Sequence, residues 1–296
     1  MQRPWYLLIL LLASSPWVGA QSEEFSFDAE EFEPKAFEFT GYLEAEPAYG
    51  RANQDGALYQ LQFLDRDPQK HLERFTGTLE LEGRARKGIV GVHFQTHSEL
   101  VRDYLGDDDD HALYQGYVTL QPDPGFAVDL GKKAVRWGKG YAWNPVAFVE
   151  RAKDADDPDL SREGYWIAAA DWIKSFDGPL QAVALTPLIL PVQNDINEDF
   201  GEPGHNNLAA KLYLLYRDID IDFMFLSEGS RSARVGMDFS KNLAPNFEIH
   251  GEFAYFKDVI HLTLTDGCKK GTPRVQDEVS YLFGTRYRTS NDITLI

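Results

Sequence analysis

A concentration of basic residues near position 135 is the most unusual chemical feature of this sequence, whose formal net charge is −18. The segment 130–145 reads LGKKAVRWGKGYAWNP, and an acidic loop follows it. Facing rows of basic and acidic side chains create a transverse field that filters solutes by charge. The alternative is a solvated external loop in which the basic residues pair with nearby acids. The charged residues that would form such rows are Lys132, Lys133, Arg136, Lys139, Arg151, Asp154, Asp156 and Asp157.

Other polar clusters carry no specific catalytic or metal-binding pattern. Asp107–Asp110 could gather Ca²⁺, but the cluster lacks the ligand spacing of a known calcium loop. His93 and His97 are separated by about 13 Å if they lie on a strand, which is too far to share one metal ion. The sequence has neither a nucleophile-elbow serine nor a His-Glu-x-x-His motif. We therefore expect no enzymatic activity, no cofactor and no metal site.

The segments that must position these residues alternate between apolar and polar side chains. In 235–256, for example, Met237 and Phe253 alternate with Asp238 and Glu252, and residues 241–245 have turn chemistry. A period of two places all the apolar residues on one face of a strand. The same alternation recurs through 37–296 and predicts about fourteen strands, including one at 59–63, and no amphipathic helix.

The apolar face of these strands could meet a protein core, as in a soluble sandwich, or lipid, as in a transmembrane barrel. Barrels alternate short turns with longer loops and place aromatic residues at both membrane interfaces. Short links are predicted near 84–88, 122–125, 176–178, 217–218, 240–245 and 289–291. Four of the five interleaved links, near 98–112, 137–163, 191–206, 228–231 and 257–277, are long. Aromatic residues near the turns are Phe37, Phe75, Tyr114, Tyr216, Phe239, Phe247, Tyr255 and Tyr287. The pattern favours lipid.

The two ends add further expectations. Residues 1–20 have one basic residue, a short apolar run and small residues at the end, which predicts a secretory signal peptide. An acidic segment, 21–36, precedes the predicted barrel domain, 37–296. If short and long links alternate between the two sides of the membrane, the strand at 37–46 would begin on the outer side, where an exported chain cannot start. Either 23–32 contains a further strand or 37–66 is divided into strands differently. The strand at 291–296 stops halfway, and we expect a C-terminally incomplete barrel with 16 or more strands in the complete protein, because open edges are costly in lipid.

Composition excludes several classes of protein. The net charge of −18 argues against nucleic acid or an anionic lipid surface as a partner. The single cysteine, Cys268, permits no internal disulfide. No apolar run reaches the roughly 20 residues that a membrane-spanning helix needs.

The pattern of strands, turns and loops over 37–296 resembles porin-like outer-membrane β-barrels of Gram-negative bacteria, and the signal peptide, acidity and scarcity of cysteine agree with this. The resemblance implies an all-β, transmembrane antiparallel up-and-down β-barrel in the cell outer membrane, with lipid and the barrel-assembly machinery as partners. It also implies that a long loop folded into the lumen sets the size of the pore, which makes the charged residues named above within 132–157 candidates for pore lining and constriction.

We therefore expect an outer-membrane channel for the diffusion of small polar solutes, with no nucleic-acid partner and with association into a homo-oligomer left open. Fold does not fix function, and two alternatives stand beside this one. The first is a secreted soluble β protein that binds or hydrolyses carbohydrate. The second is a non-conducting barrel that serves as a receptor or adhesin.

Overall fold

The computed structural model describes residues 36–141, 143–151, 162–265 and 269–296, which form one antiparallel sheet. Each strand pairs with the strands before and after it in the chain, so the sheet order is the chain order. The strands are β1 (Phe37–Arg51), β2 (His71–Lys87), β3 (Val90–Asp103), β4 (Gly106–Asp123), β5 (Phe126–Lys133), β6 (Tyr165–Ser175), β7 (Leu180–Val192), β8 (His205–Tyr216), β9 (Ile219–Leu226), β10 (Arg234–Ala244), β11 (Phe247–Thr265), β12 (Lys269–Arg288) and β13 (Thr294–Leu295).

This architecture confirms the predicted all-β, antiparallel up-and-down fold of porin-like barrels. Thirteen strands lie within the described residues, one fewer than the sequence predicted. No pairing among those residues joins β1 to β13, so the sheet is open. A six-residue helix, α1 (Ala57–Gln62), and a 3₁₀ turn (Glu198–Phe200) complete the secondary structure, and neither is a long apolar helix of the kind that spans a membrane.

The register divides the sheet into two chemically different faces. Asp222, Asp238 and Glu252 lie directly opposite one another on β9, β10 and β11, and define the polar face. Phe223 and its cross-strand neighbours lie on the opposite, apolar face. Large side chains of the apolar face remain 40–55% exposed on several strands, as at Leu185, Ile189, Leu208, Phe223, Phe225, Val235 and Phe253. The apolar face is therefore not covered by any described part of the chain.

The links differ between the two edges of the sheet. At one edge, the short-link edge, all links are of two to five residues: 88–89, 124–125, 176–179, 217–218, 245–246 and 289–293. At the other, the long-link edge, lie 52–70, 134–164, 193–204 and 227–233, but only 104–105 joins β3 to β4. The prediction of long loops near 98–112 and 257–277 is therefore wrong, because the strands continue through most of both segments.

The acidic run Asp107–Asp110 belongs to this extended part of β4. Its residues pair with 99–102 of β3, and Arg102 lies 3.7 Å from Asp107. Successive side chains of a strand point to opposite faces, so four consecutive carboxylates do not converge on one cation.

The prediction of a strand at 59–63 is also wrong, because α1 occupies this segment. Tyr59 and Phe63, four residues apart, stack with ring centroids 4.2 Å apart, a pairing that one helical turn allows. The Tyr59 hydroxyl also donates a hydrogen bond to the carbonyl oxygen of Gln69 at 2.9 Å. With a single strand in 37–66, β1 begins at the short-link edge, and the conflict in strand direction disappears.

Tyr114 departs from its expected position on the apolar face. The register between β3 and β4 shifts at Gln95, so that Tyr114 is the extra residue of a β-bulge. Bulges re-aim side chains locally. The Tyr114 ring is therefore buried on the polar face, stacked on His97 with centroids 4.7 Å apart.

Candidate functional site

We call the link between β5 and β6, residues 134–164, the inserted loop; within it, residues 134–141 and 143–151 fold onto the polar face of the sheet. Its apolar side chains Trp137, Val146, Phe148 and Val149 are at most 2% exposed. They pack with Phe200 of the 3₁₀ turn and with residues of the neighbouring polar face, namely Tyr165, Ile167, Ala169, Leu188, Leu190, Val192, Ala209, Met224, Leu226 and Ala254. The core of the described chain thus lies between this loop and the sheet.

From the long-link edge, the inserted loop runs along the polar face towards the short-link edge and then returns. Close to the short-link edge, the Tyr141 hydroxyl accepts a hydrogen bond from Arg286 Nη1 at 3.4 Å, and Arg286 lies two residues from the short-link end of β12. On the return, the Phe148 ring meets Phe256 edge-on at 5.9 Å, level with the start of β10. The loop therefore extends over most of the height of the sheet.

The carboxylate of Glu252 on β11 anchors the loop backbone. Oε1 accepts hydrogen bonds from the backbone N–H groups of Lys139 at 2.6 Å and Gly140 at 2.5 Å. Oε2 accepts one from Val146 at 3.3 Å. The Glu252 side chain is 4% exposed, so one carboxylate satisfies three donors that water cannot easily reach.

Lys139 adds a charged contact at the same level. Its Nζ lies 3.2 Å from Asp222, which also faces Lys211 at 3.9 Å. Burial works to lower the pKa of Lys139, but the carboxylates of Asp222 and Asp238 outweigh it and raise that pKa above the ordinary 10.5. Lys139 therefore stays charged up to and beyond pH 10.5, and its contribution to holding the loop is lost as the pH rises through the raised pKa.

Gly236 on β10 lets the loop approach the sheet closely. A Cβ at this position would lie 2.8 Å from a methyl carbon of Val146 and 2.9 Å from the Phe148 ring. Both loop residues are fully buried there. The missing side chain of Gly236 is thus a condition for the packing of the inserted loop.

Besides Lys139, three more of the predicted basic residues pair with acids instead of lining open space. Lys132 and Arg151 both pair with Glu163, which lies at the return of the inserted loop. Arg151 also pairs with Asp199 in the link before β8. Lys133 pairs with Asp129 within β5. The structure therefore brings the basic segment together with nearby carboxylates, and its role in lining a pore remains a prediction.

The remaining predicted residues lie in different settings. Arg136 is exposed. Beside it, the buried Glu150 accepts a hydrogen bond from the backbone N–H of Trp137 and pairs with Arg162. Burial, with a smaller contribution from the charge of Arg136, lowers the pKa of the Arg162 guanidinium. Asp154, Asp156 and Asp157, which form the acidic row of the prediction, lie outside the described residues.

A hydrogen-bonded polar network covers β2–β4 beside the loop. Glu80 lies 3.3 Å from both His97 Nδ1 and Gln95 Nε2. The Gln115 amide donates to Gln95 at 2.8 Å and accepts from the backbone N–H of Ala134 at 3.1 Å, which joins the network to the first residue of the inserted loop. Within the described ranges, no three His, Cys, Asp or Glu side chains are arranged to hold a metal ion.

Sequence reasoning missed the anchors of the loop. Glu252 and Asp222 read as ordinary members of a mixed-charge face, and Glu150 and Arg162 as parts of a polar loop. The only local signal in the sequence is that such a residue lies within a run that can be buried. Glu252, for example, has an apolar residue on either side. The partners of Glu252 lie 106 to 113 residues away along the chain, a distance that no periodicity can bridge.

Comparisons with known proteins concern the fold alone. No protein-family model and no curated protein matches the chain. Among 29 matching solved chains, two mutants of Rh. blastica porin share 6% and 7% identity, each over 87% of this chain and 92% of theirs, both with a TM-score of 0.38. The FrpB iron transporter from Neisseria meningitidis (F3-3 variant) shares 9% identity over 83% of this chain, with a TM-score of 0.36, and this chain spans 45% of it.

Replacing the loop anchor should loosen the inserted loop. We expect Glu252→Gln to remove a charge-assisted interaction, and hydrogen bonds to charged groups contribute about 1.5–3 kcal/mol. Amide hydrogen exchange of peptides from 134–151 should accelerate about tenfold or more, measured by mass spectrometry in detergent micelles. Asp171→Asn is the matched control, because Asp171 lies on the same face and, among the described residues, bonds only to the Thr186 hydroxyl, at 2.6 Å. Equal exchange in both variants would contradict the anchoring role.

A side chain at Gly236 should also disturb the loop. Gly236→Ala places a methyl group against Val146 and Phe148, and overpacking of this kind costs about 1–3 kcal/mol. The midpoint of urea unfolding, followed by tryptophan fluorescence in micelles, should fall. Gly50→Ala makes the same change in β1 where nothing lies within 4 Å, and it should leave the midpoint in place. A midpoint that is unchanged in Gly236→Ala would show that the loop does not pack as described.

Proposed function

We propose that this chain forms the wall of a porin-like outer-membrane channel through which small polar solutes diffuse. The observation that carries the proposal is the exposed apolar face, which extends over nearly all of the described strands with side chains such as Leu208 and Phe223 about half exposed. Soluble monomers rarely expose contiguous apolar patches larger than a few hundred Å². Lipid is the partner that covers such a face without forming hydrogen bonds.

The polar face supports the proposal that small polar solutes diffuse along this side of the sheet. Glu80, Gln95 and His97 form a network that suits a water-filled lumen, and charged residues continue this surface on neighbouring strands. The inserted loop lies on the same face and narrows whatever space that face encloses. In this proposal the loop is the constriction, and the channel performs no chemical transformation.

A second function is favoured by one observation. The inserted loop packs over β6–β11 and reaches from the long-link edge nearly to Arg286. A plug of this depth could close the lumen, which would make the protein a non-conducting receptor or adhesin. Conductance separates the two functions directly.

The orientation of the faces generates a paired test. Leu185 and Ala184 are neighbours in the middle of β7, with Leu185 on the apolar face and Ala184 opposite Ile173 and Tyr213 on the polar face. A lysine at the bilayer midplane on the lipid face costs about 2–4 kcal/mol. Leu185→Lys should therefore strongly reduce the fraction of protein that folds into lipid vesicles, measured by protease resistance. Ala184→Lys should fold nearly as well as the native chain, and a similar loss in both variants would argue against lipid on the apolar face.

Planar-bilayer recording tests the channel itself. The purified full chain should produce discrete conductance steps, and Glu252→Ala, which frees the loop backbone, should raise the size of each step. A bilayer that stays silent at protein levels where insertion is demonstrated would support the receptor or adhesin function. Steps that Glu252→Ala leaves unchanged would show that the inserted loop is not the constriction.

A further inference from the structure

The polar face carries far more carboxylates than basic side chains. Strand register places both sets on this face. The carboxylates include Glu38, Glu44, Glu46, Glu80, Glu82, Glu99, Asp103, Asp108, Asp110, Asp129, Asp171, Asp220, Asp222, Asp238, Glu248, Glu252 and Glu278. The basic residues include Arg74, Arg84, Arg86, Lys133, Lys211, Arg234, Arg274, Arg286 and Arg288. The excess of negative charge therefore belongs to the wall and not only to the chain as a whole.

Most basic groups near the inserted loop are neutralised by direct contacts. Lys132, Lys133, Lys139 and Arg151 each have a carboxylate partner. Beyond the loop, Arg84 lies 2.5 Å from Glu82, and Arg286 lies 3.7 Å from Glu248. A paired charge contributes little field at a distance, because its partner cancels it and salt screens the remainder within about 10 Å. The basic segment that stood out in the sequence therefore adds little positive potential to the polar face.

Carboxylates without such partners remain. Glu38, Glu44 and Glu46 lie exposed along the polar face of β1 and take part in no ion pair with any described residue. Glu99 on β3 is partly buried and likewise takes part in no ion pair with any described residue. Rows of Asp and Glu side chains are the device by which pores favour cations. The uncompensated charge of the wall is thus negative and accessible to solvent.

The acidic character continues beneath the inserted loop. Asp238 is fully buried, and neither of its carboxylate oxygens has a hydrogen-bond partner among the described residues. Asp222 and Glu252 flank it on the neighbouring strands, while Lys139 and Lys211 both approach Asp222. Even with Lys139 of the inserted loop beside Lys211 of β8, basic groups do not outnumber carboxylates at this level of the wall.

From this distribution we propose that the channel prefers cations, so that the solutes it passes most readily are small, positively charged or neutral polar molecules. This inference depends on the proposed function, because selectivity has meaning only if the protein conducts. The physical reason is that a passage lined by one sign of charge raises the local concentration of ions of the opposite sign.

Reversal potentials in planar bilayers test the proposal. With the purified full chain and a KCl gradient, we expect the sign of the potential to report K⁺ permeability at least about threefold above that of Cl⁻. The variant Glu38→Gln/Glu44→Gln/Glu46→Gln should lower this ratio. Asp55→Asn/Asp65→Asn/Asp67→Asn is the matched control, since it removes the same charge from the link 52–70, and it should leave the ratio unchanged.

The outcomes separate this inference from the proposed function. Conductance with a reversal potential of the opposite sign, or a ratio that all three β1 substitutions leave unchanged, would overturn the cation preference and leave the channel standing. A silent bilayer would overturn the channel and the preference together. Equal losses of selectivity in the β1 variant and the link variant would show that overall charge decides, and not the charge of the wall.

Discussion

The period-two pleat is the constraint on which every other feature of this structure depends. Because successive side chains of a strand point to opposite faces, Asp222 and Phe223 can be neighbours in the chain and belong to different environments. Register carries this division across neighbouring strands. The outcome is inverted with respect to a soluble protein, since the exposed face is apolar and the covered face is polar. In the proposed channel, lipid on the apolar side and water on the polar side would satisfy both.

The inserted loop creates a second problem, which is the burial of irregular backbone. Its N–H groups point into a region where water is scarce, and unpaired buried donors are costly. Glu252 solves this for Lys139, Gly140 and Val146 with a single carboxylate. Apolar packing of Trp137 and Phe148 supplies the rest of the binding. The loop is therefore fixed to the wall by contacts spread over its length, which suits a permanent constriction better than a mobile gate.

Sequence reasoning predicted the parts of the fold that local periodicity encodes. The alternation of Met237 and Asp238 gave the correct faces, and turn chemistry at 241–245 gave the correct hairpin between β10 and β11. It failed at 59–63, where an alternating run is equally compatible with the stacked i, i+4 pair of α1. It also failed at Tyr114, because a bulge of one residue reverses the face of a side chain and leaves no compositional trace.

The candidate site was less accessible to prediction for a physical reason. The basic segment was visible in composition, but the partners that neutralise it include Glu163, Asp199 and Asp222, which only the folded loop brings close. Net charge can be counted from the sequence, whereas the electrostatic field in a lumen depends on which charged groups are paired in the folded protein. The same segment that suggested a positive row thus lies in a wall whose free charge is negative.

Site-directed spin labelling of β7 tests the central claim that lipid covers the apolar face. In a Cys268→Ser background, Ile189→Cys reports the apolar face and Thr186→Cys the polar face of the same strand. In lipid vesicles, collisions with oxygen should dominate relaxation of the label at position 189, and collisions with a water-soluble nickel chelate should dominate at position 186. Equal access of the chelate to both labels, or the reverse pattern, would contradict the account.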